Sequence, residues 1–146
     1  MEIVQLKEAT PKILEELNIL IVQLRRDGIN SQGSLEDLDA MVTDTNSVIF
    51  VAKNDGKIIG MASLYTMRKL GRFGGYVEDV VVSDGYRGQG LGKRLTQAVI
   101  DEARARGLRY LYLTSRPDPD RVAANKLYIG LGFKSIETNV YKLVLD

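Results

Sequence analysis

Between Val80 and Arg94 the chain reads VVVSDGYRGQGLGKR, a β-branched run followed by glycines at 85, 88, 90 and 92 and then an amphipathic stretch. Glycine has no Cβ, so an anion can come close to its backbone. A helix starting just behind such a turn presents unpaired N–H groups and the positive end of its dipole. That arrangement is a phosphate cradle, and Arg87 and Lys93 add positive charge beside it. The same glycines would also serve a plain connection from strand to helix, and on their own they do not decide between the two.

The composition restricts what else could take part. There is no Cys and no His, which excludes disulfides, thiolate or imidazole metal sites, iron–sulfur clusters, Cys nucleophiles and a Ser-His-Asp triad. Carboxylates, Lys, Tyr, Ser and the main chain remain, and no metal is expected. Two familiar phosphate motifs also fail. Aligning Gly92-Lys93 with the P-loop puts Arg87 at its first glycine and Arg94 after the lysine, and a dinucleotide pattern begun at Gly88 meets Lys93 at its third glycine.

The segments that must position this turn follow from periodicity. Residues 2–7 suit a short strand; Thr10 and Pro11 cap and open a helix with apolar positions Ile13, Leu17, Leu20, Ile21 and Leu24, which Gly28 can end. Ser34 and Asp37 have capping-box spacing ahead of a second, short helix. Residues 48–53 and 57–67 read as a hairpin about Asn54-Asp55-Gly56. Gly71, Gly74 and Gly75 read as a loose connection to a strand at 76–82. A helix is expected over 90–106 with Gly107 as its stop, then a strand at 108–114, a short helix over 121–131 and two short strands within 133–145. The order β-α-α-β-β-β-α-β-α-β-β implies an α/β fold with one mixed, mostly antiparallel sheet flanked by about four helices.

With these elements in place, Arg87-Gly88-Gln89-Gly90-Leu91-Gly92 fits R-x-x-G-x-G, and Ala124-Asn125-Lys126-Leu127-Tyr128-Ile129-Gly130-Leu131-Gly132-Phe133 carries L-Y-x-x-x-G-F after the next strand. Here the chain resembles the GNAT superfamily of acyl-CoA-dependent N-acetyltransferases, and the element order resembles that fold over the whole length. The resemblance implies acetyl-CoA as co-substrate, with its pyrophosphate on Arg87, Gly88, Gln89, Gly90, Leu91, Gly92 and Lys93. Its pantetheine arm would pair with the main chain of Val80, Val81 and Val82, and Asn125 and Tyr128 would contact it further on.

The resemblance also implies roles. Acetyl transfer to an amine needs a neutral amine, a stabilised oxyanion and a protonated thiol. By strand parity Glu78 shares a face with Tyr76, Val80 and Val82 and is placed to receive the amine proton, while Asp79 faces the other way. Tyr128 is placed to protonate the departing thiolate, and a backbone N–H near Val82 to hold the oxyanion. Without the resemblance, Glu78 also reads as one half of a cross-strand ion pair or as a solvated residue on a half-buried sheet, and Tyr128 as a core aromatic on the helix face with Ala124, Leu127 and Leu131. The acceptor site falls to the loop 27–33, the hairpin 66–75 and the last strand pair. The strand Val77-Glu78-Asp79-Val80-Val81-Val82 resembles that of glucosamine-6-phosphate N-acetyltransferases, so a hexosamine phosphate stands beside protein amines, polyamines and amino acids as a possible acceptor class. A non-catalytic acyl-CoA-binding regulatory module is the alternative to an enzyme.

The remaining expectations come from bulk properties. The 146 residues, 45% hydrophobic and 27% charged, suit a single N-acetyltransferase domain over 1–146. Twenty Lys and Arg nearly cancel nineteen Asp and Glu, so nucleic acid and anionic membranes are not expected partners. No apolar run reaches about 18 residues, and the expected location is cytoplasmic, as a monomer or a homodimer. Residues 83–128 hold nine basic and five acidic side chains, whereas residues 1–82 hold nine and twelve. The basic half is the one that would meet a polyphosphate.

Overall fold

Thr10 and Pro11 start a helix by the chemistry of their side chains. The Thr10 hydroxyl accepts from the Ile13 N–H at 3.2 Å, and Pro11 opens α1 (Pro11–Leu24), where its missing N–H has no helical partner to lose. Leu17, Leu20 and Ile21 form its buried face. A reciprocal cap starts α2 (Leu35–Thr43): Ser34 Oγ accepts from the Asp37 N–H at 3.1 Å, and the Asp37 carboxylate accepts from the Ser34 N–H at 2.8 Å. The Ser34 N–H, and after it the hydroxyl, holds the Asp37 carboxyl below the usual carboxylate range.

The structure, a computed structural model, describes residues 1–25 and 32–146. Gly28 as the end of α1, and most of the expected acceptor loop 27–33, lie outside the described residues. The chain divides into two compact units, residues 1–114 and 115–146. No helix among the described residues is long and apolar enough to cross a membrane.

In the first unit five strands lie side by side in chain order: β1 (Glu2–Gln5), β2 (Ser47–Asn54), β3 (Lys57–Lys69), β4 (Arg72–Val82) and β5 (Leu111–Tyr112). All neighbours are antiparallel except β4 and β5, which are parallel. Asp55 and Gly56 turn β2 into β3 with φ of 50° and 79°, the pair of positive angles that a tight hairpin matching strand twist requires. One sheet face carries α1 and α2 over Ile49, Val51, Met61 and Val81. The other carries α3 (Leu91–Ala105), whose Leu95 packs against Gly60 closely enough that a Cβ there would lie 3.0 Å from it. The mixed, mostly antiparallel sheet with helices is therefore as the sequence implies.

The expected loose connection at Gly71, Gly74 and Gly75 is instead a second tight hairpin. Only Leu70 and Gly71 lie between β3 and β4, and Gly74 and Gly75 are strand residues. They are glycines because of their neighbours: the Tyr110 ring occupies the place of a side chain at 74, and a Cβ at 75 would lie 2.5 Å from the Tyr65 carbonyl oxygen and 2.9 Å from Leu108. The expected strand at 108–114 is formed only over Leu111–Tyr112, opposite Gly75 and Tyr76, with Arg109 and Tyr110 adding backbone bonds to Phe73 and Gly75 just before it.

In the second unit a 3₁₀ turn at Pro119–Arg121 leads into α4 (Val122–Gly130), close to the expected helix. The two strands expected within 133–145 are not formed in this unit. A two-stranded ribbon is marginal by itself, and the unit supplies no third strand to pair with it.

A candidate active site at the bulge of the fourth strand

β4 does not run straight past β3. Glu78 stands opposite Ser63 and Val81 opposite Met61, so two residues of β4, Asp79 and Val80, oppose the single Ala62. This is a β-bulge. Asp79 within it has φ of 52°, in the left-handed region that Asp adopts more readily than most residues. The bulge corrects the face assignment drawn from parity. Glu78 shares its face with Tyr76 and, beyond the bulge, with Val81 instead of Val80 and Val82. Asp79 also differs from expectation, because its side chain reaches the α1 side and pairs with Arg25 at 3.0 Å.

Around Glu78 the field is mixed. Its carboxyl is pushed above the usual range, first by partial burial and then by the neighbouring Asp79 charge, with Arg25 acting against both. The Tyr65 phenol, two residues from Ser63 on the same strand face, is also pushed up. Burial is again the leading cause, followed by the Asp79 charge, with lesser effects from the other neighbours. Ser63 is fully buried, and its hydroxyl finds no hydrogen bond of good geometry among the described residues, only a loose approach to that phenol. A carboxyl whose proton affinity is raised is a better base toward an ammonium than an exposed one.

Past Val82 the chain makes a 3₁₀ turn at Asp84–Tyr86 and enters the glycine stretch. Gly88 and Gly90 both have φ of 79°, and a Cβ at 85, 88 or 90 would meet nothing within 4 Å. The turn is thus open on its outer side. Gly90 is the N-cap of α3 and offers no side chain to the helix, while the first backbone bond of that end runs from the Arg94 N–H to the Gly90 carbonyl. The N–H groups of Leu91, Gly92 and Lys93 therefore have no partner within the helix, as an anion cradle requires. Arg87 lies back on Asp84 at 3.1 Å, with its Nε 3.5 Å from the Val82 carbonyl. Within this unit the outer edge of β4 bonds to the segment Arg109–Tyr112 from Phe73 to Tyr76, and among the described residues of the unit no strand lies beside the main chain from Glu78 to Val82.

The structure thus brings Glu78, Val80, Val81, Val82 and residues 87–93 together on one strand, turn and helix start. Asn125 and Tyr128 belong to the second unit. There Asn125 donates to the Arg116 carbonyl at 3.0 Å, and Tyr128 is buried with its ring edge-on to Phe133 at 6.0 Å between centroids. Sequence reasoning missed Asp79, Arg25 and Gln23. The one signal for the bulge was an Asp in a β-branched run, since Asp is a poor strand former that tolerates left-handed backbone.

Residues 16–133 match the model of the acetyltransferase (GNAT) family. The chain belongs to that family. Among GNAT relatives, glucosamine 6-phosphate N-acetyltransferase of Trypanosoma brucei brucei is 36% identical over 92 residues, 61% of this chain and 59% of that enzyme. That match spans less than two thirds of the relative's length. Aminoalkylphosphonate N-acetyltransferase of Salmonella typhimurium is 26% identical over 136 residues, 92% of this chain and 87% of the relative. The crystal structure of an aminoglycoside acetyltransferase from an uncultured soil metagenomic sample superposes with a TM-score of 0.87 at 18% identity, covering 99% of this chain and 98% of the other. At that identity the likeness speaks for the GNAT fold alone. Among the described residues no group of three or more acidic side chains is arranged to hold a metal ion.

Proposed function

We propose that the protein is an N-acetyltransferase, acting as one domain over residues 1–146, which moves the acetyl group of acetyl-CoA to a primary amine by direct attack in a ternary complex. The observation that carries this reading is the combination of an open glycine turn, an uncapped start of α3 and an outer β4 edge unpaired beyond Tyr76. The turn suits a pyrophosphate, and the edge suits an extended amide-bearing arm that adds to it as a strand would. Because the Val82 carbonyl already accepts from Gln23 at 2.7 Å, the arm would rely on the bulged main chain before it.

In this reading Glu78 takes a proton from the acceptor ammonium. The freed amine attacks the thioester carbon, and a main-chain N–H of the bulge holds the resulting oxyanion. As the C–S bond breaks, the sulfur takes the phenol proton of Tyr128, and the extra proton on the newly acylated nitrogen returns to the phenolate, leaving a neutral amide and a restored phenol. Support for Glu78 is its raised proton affinity beside the bulge. Support for Tyr128 is its place in the Leu127-Tyr128 pair.

For the acceptor, we read a small primary amine that carries a phosphorus oxyacid. Two of the curated relatives are named for glucosamine 6-phosphate and for aminoalkylphosphonates, and others for methionine sulfoximine and methionine sulfone. In this chain Arg72 shares the Glu78 side of β4 by strand alternation, and its guanidinium rests 4.6 Å from the centre of the Tyr110 ring. The test is thiol release from acetyl-CoA with glucosamine 6-phosphate, an aminoalkylphosphonate, glucosamine, a polyamine and a lysine peptide. Release with the phosphorylated amines is the expected result. Coenzyme binding without release on any amine would make the chain a binding module.

A further inference from the structure

Two polar side chains at the end of α1 reach the same stretch of β4. Gln23 donates through Nε2 to the Val82 carbonyl at 2.7 Å and accepts through Oε1 from the Asp84 N–H at 3.3 Å. Arg25 pairs with Asp79 at 3.0 Å. The three contacts bracket Asp79–Asp84, which contains the bulge and the mouth of the glycine turn. Inside that bracket the β3–β4 ladder ends at the Ser83 N–H, which donates to Ile59 at 2.8 Å. The Val82 carbonyl and the Asp84 N–H lie at the strand's end, where helix and sheet pairing no longer dictate their direction. Asp79 holds a backbone conformation that persists only where its surroundings enforce it.

We infer that Gln23 and Arg25 are positioning residues, forming a clamp by which the last turn of α1 fixes the β4 bulge and the start of the glycine turn in the geometry that receives coenzyme A. The inference rests on the acetyl-CoA reading above and extends it to two residues outside the family motifs. Its physical content is preorganisation. A main-chain segment already fixed by side chains loses less freedom when a ligand settles on it, and binding tightens without a new contact to the ligand. Arg25 has a second effect through charge. The described charged groups about Glu78 are Asp79 and Arg25, with the Tyr65 phenol across the strand. The clamp therefore also balances the field felt by the Glu78 carboxyl.

The experiment compares Gln23→Met, Gln23→Glu, Arg25→Gln and Asp79→Asn with the wild type. Coenzyme A affinity is read by calorimetry, amide exchange residue by residue, and the Glu78 titration by carboxyl NMR. Gln23→Met keeps the length of the side chain and loses both bonds. It is expected to weaken coenzyme A binding roughly three- to tenfold, the range of one net hydrogen bond, and to speed exchange at the Asp84 amide. Gln23→Glu can still accept from the Asp84 N–H but cannot donate to Val82, so it should keep that protection and still bind coenzyme A weakly. Arg25→Gln should raise the Glu78 titration point and Asp79→Asn should lower it, since one removes a positive and the other a negative neighbour. Unchanged affinity in Gln23→Met overturns the clamp, as does exchange that rises evenly over the whole sheet. Glu78 shifts of equal sign in the other two variants overturn the part given to Arg25. If the wild type binds no coenzyme A, the functional reading fails, and local exchange in the Gln23 variants still decides the clamp by itself.

Discussion

Glu78 and Val81 face the same side of the sheet although they lie three positions apart. An unbroken strand would put them on opposite faces. The bulge opposite Ala62 absorbs one residue, so Val81 joins the apolar layer under α1 and α2 while Glu78 stands beside that layer with its charge. The arrangement accounts for the raised proton affinity of Glu78, because burial is its leading cause and Asp79, displaced to the same side by the bulge, is the second.

The bulge makes Asp79 sensitive to backbone preference in a way that β-propensity would not suggest. Asp79→Val introduces a residue favoured in strands but strongly disfavoured at φ of 52°. It should lower stability by about 1–3 kcal/mol relative to Asp79→Asn, which also lacks the charge and tolerates left-handed backbone. Urea denaturation of the two variants side by side measures the difference. Equal midpoints would mean that the bulge rearranges at little cost.

Much of this was legible in the sequence, for identifiable reasons. Local signals acted locally: Thr10-Pro11 and Ser34-Asp37 cap helices, Asp55-Gly56 turns a hairpin, and Gly107 ends α3 with φ of 81°. The glycine turn was legible because its function lies in backbone geometry, which glycine spacing encodes. The bulge was not, since a strand of Val, Glu and Asp alternates equally well with or without an extra residue, and only its pairing with β3 shows the count. Gly74 and Gly75 misled for a related reason. Their glycine identity answers to the Tyr110 ring, far along the chain, and to the Tyr65 carbonyl across the β3–β4 pair, neither of which the spacing of the glycines shows. Gln23 sits in the last turn of an ordinary amphipathic helix and Arg25 just past its end, and nothing near them in sequence points to β4.

The glycine turn yields a direct binding prediction. Gly90→Asp places a side chain at φ of 79° and a negative charge at the uncapped start of α3, and Gly92→Glu adds a carboxylate in its first turn. Both should abolish acetyl-CoA binding, and with it the rise in melting temperature that a ligand of the native state confers. Calorimetry that shows undiminished affinity in both variants would remove the pyrophosphate from this turn.

Tyr128 is buried with its ring edge-on to Phe133, and Phe at this position keeps that ring. Tyr128→Phe should keep acetyl-CoA affinity and lower kcat by roughly ten- to a thousandfold, the range of a general acid's contribution. The decisive measurement is a single-turnover rate, in which chemistry is separated from product release. A rate equal to the wild type would leave Tyr128 with a packing role alone.

Glu78 ties activity to stability through one titration. Its carboxyl is raised in the folded protein, so between the unfolded and folded values the native state binds more protons than the unfolded chain, and stability falls as pH rises through that window. Above it the fold carries an ionised, partly buried carboxylate beside Asp79; below it the group is neutral in both states and costs nothing. Glu78→Gln should therefore raise the melting temperature at neutral pH and leave it unchanged at strongly acidic pH. The same substitution removes the acceptor of the amine proton. The loss in kcat/KM should be largest at low pH, where free amine is scarce, and should shrink as pH approaches the acceptor's own pKa. A variant more stable at neutral pH yet as active as the wild type would show that the carboxylate is tolerated for some purpose other than catalysis. A deficit constant across pH would assign Glu78 to holding the acceptor in place.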